Sequence, residues 1–291
     1  MKIVNPLYDK AFKFLMQNER LAKKVLSVIL DQEILELSLS QQETIVSDEK
    51  RPLTLFRLDF KAVIVTPDNT KQTVLIELQK SKYSTDIQRF RTYLGMNYIH
   101  GKNEKEGDKD VTKHYPIITI YILGYKLLDL PYLAVTVNKC IVDAVSKKEI
   151  NVKSFFVEHL THRSHIIQVK HLPEKRRTKL EKLLTLFNQA WVTNDRYILD
   201  LQEIPEEFKD IAKHLQSPVT DDNFRRQLMA EEELDQIFDE QELKYIKQIE
   251  DAKQKEKEAV LKLATKMKKY GETIDEIIKE TGLSENEIAK L

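Results

Sequence analysis

The sequence predicts a mixed α+β domain followed by an all-helical extension. Three observations predict it: apolar residues at helical spacing near the start, several β-rich runs after them, and a loss of strand signals beyond about residue 205. The chain has 291 residues, which allows one large domain or two small ones. At 41% hydrophobic and 32% charged, it can fill a core and still carry a highly charged surface.

Residues 5–34 read as helix. Pro6 suits a first turn, and Leu7, Ala11, Phe14, Leu15, Leu21, Val25 and Leu26 follow helical spacing, with a break near Gln17 and Asn18 that splits the run in two. SLSQQETIV, residues 38–46, reads as a short strand. RPLTLFRLDFKAVIV (51–65) and TVLIELQ (73–79) are strand-like and flank the turn TPDNTK, which makes them a β-hairpin. STDIQRFRTYLGMNYIH (84–100) turns helical, with Ser84 or Thr85 as N-cap. GKNEKEGDKD (101–110) reads as a polar loop. PIITIYILGY (116–125) reads as a central strand, and residues 132–143 and 164–172 again look β. Residues 173–191 form an amphipathic helix with Pro173 near its start.

Beyond residue 205 the chain reads as charged helices, ending in units at 259–270, 274–280 and 285–291. Thr273 precedes Glu276 by three and Ser284 precedes Glu287 by three, the capping-box spacing. Gly271 and Gly282 sit where helix C-terminal glycines belong. Ile274, Ile277, Ile278, Leu283, Ile288 and Leu291 are the expected mini-core. The predicted division is 1–204, a charged helical linker at 205–258, and a small helical module at 259–291.

Several function classes drop out. Lys plus Arg number 47 and Asp plus Glu 47, so net charge indicates no polyanionic partner, and a nucleic-acid site would have to be a local basic patch. No run approaches the roughly 18 apolar residues of a membrane span, and no leader pattern opens the chain, so a soluble cytoplasmic protein is expected. Neither G-x-G-x-x-G nor G-K-[ST] occurs, which argues against a nucleotide cofactor. The single cysteine, Cys140, leaves no disulfide framework or cysteine-based zinc site and reads as a buried structural thiol. His159, His162, His165 and His171 cluster, but their spacing matches no named zinc pattern, and exposed or phosphate-facing histidines are expected.

The informative feature is a carboxylate inside each hairpin strand. If the turn centres on Asp68, Asp59 pairs with Glu77, and directly opposed residues share a face about 5 Å apart at Cβ. Two carboxylates there repel and lose hydration, a penalty that a divalent cation would remove. A slip of one residue would separate them onto opposite faces. Gln79 shares the face of Glu77, and Lys80 falls on the other. The competing reading is ordinary ion pairing of an edge strand with Arg57, Lys61 and Lys80.

Five ordered blocks, YDKAFKFL, LDF, IELQK, RFRTYLG and PIITIYILG, resemble the PD-(D/E)XK nuclease superfamily. More narrowly they resemble its recombination-promoting nuclease branch, the Rpn-like nuclease family transposases. The resemblance covers roughly residues 5–130. It implies a restriction-endonuclease-like core, an α/β/α sandwich with a mixed sheet, and metal-dependent hydrolysis of DNA in recombination or transposition. Asp59 then matches the motif aspartate, Glu77 the glutamate, and Gln79 the position of the superfamily's lysine. The Leu78 carbonyl would complete the shell of a Mg²⁺ ion, with Mn²⁺ or Ca²⁺ as substitutes. Asp9, Lys80, Gln88, Arg89, Arg91 and Tyr93 are accessory candidates, and Arg91 is preferred as the phosphate contact. Gln79 can hydrogen-bond but carries no charge. Lys80, Lys82, Arg89 or Arg91 would then have to offset charge on the phosphate. The terminal module resembles the helix-turn-helix-like modules of this family, but residues 285–291 hold two Glu and one Lys, a poor phosphate surface. Cutting both strands calls for a homodimer. The alternatives are a catalytically silent relative that binds DNA or a protein, or an interaction protein built on the charged helices.

Overall fold

The computed structural model describes residues 1–40, 47–48, 51–52, 58–66, 68–81, 91, 94–95, 98, 102–106, 109–152 and 154–290. It is a mixed α+β structure whose main sheet has six strands flanked by helices. The chain divides into two compact units, Met1–Glu231 and Glu232–Leu291.

In the first unit, β1 (Lys2–Val4) pairs antiparallel with β12 (Ile198–Asp200). The first helix therefore starts later than Pro6 suggests: α1 spans Asp9–Gln17 and α2 spans Glu19–Leu30. The expected break falls at Asn18, whose side chain accepts from the Leu21 N–H at 3.2 Å and caps α2. Asp31 then ends α2 in a left-handed conformation, φ 50°.

The main sheet runs in the order β10 (Ala134–Val137), β11 (His162–Gln168), β9 (Ile117–Leu123), β6 (Lys71–Ser81), β5 (Leu58–Val65) and β2 (Ile34–Ser40). β9 is central, as its apolar run predicts, and lies parallel to both β6 and β11. The other three pairings are antiparallel. The register gives the sheet two chemically different faces. Phe60, Ile64, Ile76, Leu78, Ile120 and Ile167 occupy one set of alternate positions and join the main core with α1, α2, α4 (Lys179–Leu184) and α5 (Lys209–Gln216). Leu75, Ile117 and Leu123, at the other set, are buried outside that cluster.

Several local expectations fail for physical reasons. The segment read as a loop at 101–110 contributes to a hairpin of β7 (Lys102–Glu106) and β8 (Lys109–Lys113). Its register runs from Lys102 opposite Lys113 to Glu106 opposite Lys109, with Val111 the one apolar residue in either strand. The strand expected over 132–143 is only β10, because the chain leaves the sheet after Val137. Before β11 the chain also forms α3 (Phe155–Leu160), capped by the Ser154 hydroxyl. The helix expected over 173–191 shortens to α4 and two 3-10 turns. The strand expected at 38–46 lies earlier, as β2, and residues 41–46 are outside the described set. Two short strands, β3 (Ser47–Asp48) and β4 (Arg51–Pro52), pair with each other. The helix expected over 84–100 is mostly outside the described residues, but Arg91, Leu94, Gly95 and Tyr98 are helical. Cys140 is exposed, not buried, because it lies on the excursion between β10 and α3.

Residues 205–231, expected in a linker, pack in the first unit. Phe208, Ile211 and Leu215 are buried in the main core. The boundary between units falls inside α6 (Asp222–Lys269), a single 48-residue helix that takes in all but the last residue of the unit expected at 259–270. In the second unit, Ala264 and Met267 pack with Ile277 of α7 (Ile274–Thr281) and Ile288 of α8 (Glu285–Ala289). Ile278 and Leu283 join this cluster, whereas Ile274 stands exposed. Both capping boxes form. The Thr273 N–H donates to Glu276 at 2.9 Å and the Ser284 N–H to Glu287 at 2.9 Å. Gly271 and Gly282 have φ of 82° and 69°. Among the described residues, no helix is long and apolar enough to cross a membrane.

Candidate active site

The antiparallel register of β5 and β6 makes Asp59 the partner of Glu77, as a turn centred on Asp68 requires. The turn itself is tied by Thr66, which bonds Asp68 at 2.6 Å and the Thr70 carbonyl at 2.9 Å. Following the register outward, Ser40, Asp59, Glu77, Thr119 and Ser164 form one row across β2, β5, β6, β9 and β11. Paired positions share a face, so this row lies opposite the apolar core. β5 and β6 are interior strands, which removes the edge-strand setting of the competing ion-pair reading.

Glu77 is only 1% exposed and Thr119 fully buried. A buried carboxylate loses hydration and needs compensating partners. The neighbourhood supplies polar groups in number. Thr119 Oγ1 donates to Ser164 Oγ at 2.8 Å. One step along the face, Gln79 has the register of Tyr121. Burial raises the Tyr121 phenol above its ordinary pKa; a hydrogen bond with Thr119 opposes this, and the Glu77 carboxylate and Tyr98 add to the rise. Tyr98 Oη lies 2.8 Å from His162 Nδ1, and burial pushes the Tyr98 pKa up and the His162 pKa down. Lys61, two residues beyond Asp59, sits over the Tyr115 ring at 4.9 Å.

The other expected residues are more scattered. Asp9 opens α1 in the layer of the apolar core, where its N–H donates to Glu231 at 2.5 Å. Leu78 buries its side chain in the main core, and Lys80, paired with Ile122, takes the register of the apolar-face positions. Arg91 is helical and exposed. Gln88, Arg89 and Tyr93 lie outside the described residues. The four histidines do not converge. His162 faces Tyr98, whereas His165, three residues on, lies on the apolar-core side against Thr136 at 3.2 Å. His159 bonds the Phe155 carbonyl. Among the described residues, no group of three or more His, Cys, Asp or Glu is arranged to hold a metal ion.

Thr119, Tyr121, Tyr98 and Ser164 were not singled out from sequence. Thr119 and Tyr121 carry a recoverable signal, being the polar residues two apart in the otherwise apolar strand IITIYIL. A cleft of about 740 Å³ runs from the hairpin turn at Thr66 and Gln72 to Ile118 and Arg163, the neighbours in sequence of Thr119 and Ser164. The Glu77 row carries the carboxylates that the sequence singles out, and of these Glu77 is buried. Compared with family models, with curated proteins and with solved structures, the chain has no match.

Proposed function

We propose that the chain is a cytoplasmic, metal-dependent DNA endonuclease of the restriction-endonuclease-like α/β/α class, acting in recombination or transposition. One observation carries this reading: Asp59 and Glu77 are cross-strand partners at the centre of the sheet, on the face away from the apolar core, with Glu77 buried. A central carboxylate pair adds nothing to core packing and suits a hard cation that takes oxygen ligands.

Asp59, Glu77 and the Leu78 carbonyl would hold the ion. When bound, Mg²⁺ supplies a Lewis acid for the phosphoryl oxygen and lowers the pKa of water. Gln79 would aim the attacking water by hydrogen bonding, and Arg91 would bind a phosphate of the DNA backbone. The hydroxyls of Thr119, Tyr121 and Ser164 would keep Glu77 oriented. The uncharged Gln79 favours a second reading, a silent relative that binds DNA without cutting it.

Supercoiled plasmid incubated with the full chain and Mg²⁺ distinguishes the two. Nicking is expected, lost with EDTA and reduced by about a hundredfold or more in Asp59→Asn and Glu77→Gln. Equal cleavage in both variants would remove the site assignment. Plasmid that stays intact with Mg²⁺ and Mn²⁺ but is retarded in a gel would establish the second reading.

A further inference from the structure

Twelve large apolar side chains stand exposed among the described residues of the first unit, and ten of them fall within residues 128–160. They include Leu128, Val145, Phe155, Phe156 and Leu160, at 102%, 90%, 80%, 71% and 61% exposure. This stretch spans β10, the excursion that follows it, and α3. Val142 bridges Glu149, and the Asp143 carboxylate accepts from the Val145 and Ser146 amides. Lys139 Nζ bonds Glu158 Oε1 at 3.0 Å and ties the excursion to α3.

Such a surface is costly in water, and a monomer rarely exposes more than about 300–600 Å² of contiguous apolar area. Summed over the whole stretch, the ten side chains expose on the order of 1,000 Å², so an interface of roughly 800 Å² per partner would draw on most of them. The charges around them are balanced: residues 128–160 hold four Lys and four Asp or Glu. A surface with both signs in equal number does not select a polyanion or a polycation, but it can be complementary to itself. β10 also forms one end of the main sheet, and an antiparallel edge is self-complementary about a two-fold axis.

We propose that residues 128–160 form the face through which the chain pairs with a second copy of itself. The proposal is tested apart from the nuclease reading: Val137 pairs with Ser164 of the Glu77 row, but the substituted residues Val145, Phe155 and Phe156 lie outside that row.

Sedimentation equilibrium of the full chain tests it, with Phe155→Ser/Phe156→Ser and Val145→Ser as variants. The substituted side chains are exposed, so the thermal midpoint extrapolated to low concentration should stay unchanged. Wild type is expected to reach twice its 34.2 kDa mass, with dissociation at least tenfold easier in the double variant and measurably easier in Val145→Ser. A wild-type chain that remains monomeric to about 100 μM, as it would if a different protein covered this face, overturns the proposal. So does a dimer whose dissociation constant is the same in wild type and both variants.

Discussion

His165 is nearly buried on the apolar side of β11, with Nδ1 3.2 Å from the Thr136 hydroxyl and, among the described residues, no bonded partner at Nε2. Burial, with the Arg163 guanidinium adding to it, holds its pKa at about 4 against an ordinary 6.5. Between those values the unfolded chain binds a proton that the folded chain refuses. Stability therefore falls as pH drops from about 6.5 to about 4, and levels off below. Urea midpoints at pH 7 and pH 4.5 should show an acid loss larger in wild type than in His165→Gln by roughly 2 kcal/mol. Equal losses would acquit His165. Cys140 marks the opposite case. Local desolvation and the neighbouring Glu149 carboxylate raise its thiol pKa although it is exposed, so its thiolate is scarce at neutral pH.

The β6 strand carries two kinds of residue in alternation, and adjacent substitutions should separate them. Ile76 is fully buried in the main core, so Ile76→Ala is expected to cost about 2–5 kcal/mol in a urea melt. Glu77→Gln keeps the shape and should cost much less, while lowering the proposed plasmid nicking by about a hundredfold or more. A Glu77→Gln loss as large as that of Ile76→Ala would make Glu77 a structural residue. In the second unit, Gly282 ends α7 at φ 69°, a conformation that penalises a Cβ although none of the described residues crowds the position. Gly282→Ala should lower the stability of that unit by about 1 kcal/mol, read from helical ellipticity on heating. An unchanged melt would show that Gly282 is not required to end the helix.

At the scale of the molecule, the first unit owns the large core and the second a cluster of four buried residues, Ala264, Met267, Ile277 and Ile288. A fragment of residues 1–231 is expected to keep a cooperative unfolding transition, because α5 and the buried Phe208 remain with it. Ending the chain at residue 204 should abolish that transition, since it removes Phe208, Ile211 and Leu215 from the core. Cooperative melting of the shorter fragment would return residues 205–231 to the status of a linker.

Local chemistry alone determined the break at Asn18, the Thr66–Thr70 turn, both capping boxes and the Asp59–Glu77 pairing. Each depends on residues close in sequence, and a two-residue strand period carries a turn's register along both strands. The hairpin of β7 and β8 was hidden because its strands carry a single apolar residue, Val111, and so show no apolar alternation. Only the tertiary structure decided that Thr119 and Ser164 stand in line with Glu77, since the order of β6, β9 and β11 is set by long-range packing. It also decided that residues 205–231 join the first core and that the apolar side chains of 128–160 face water. Hydrophobicity says which residues favour burial; the number of sites that the packed elements cover decides which of them achieve it.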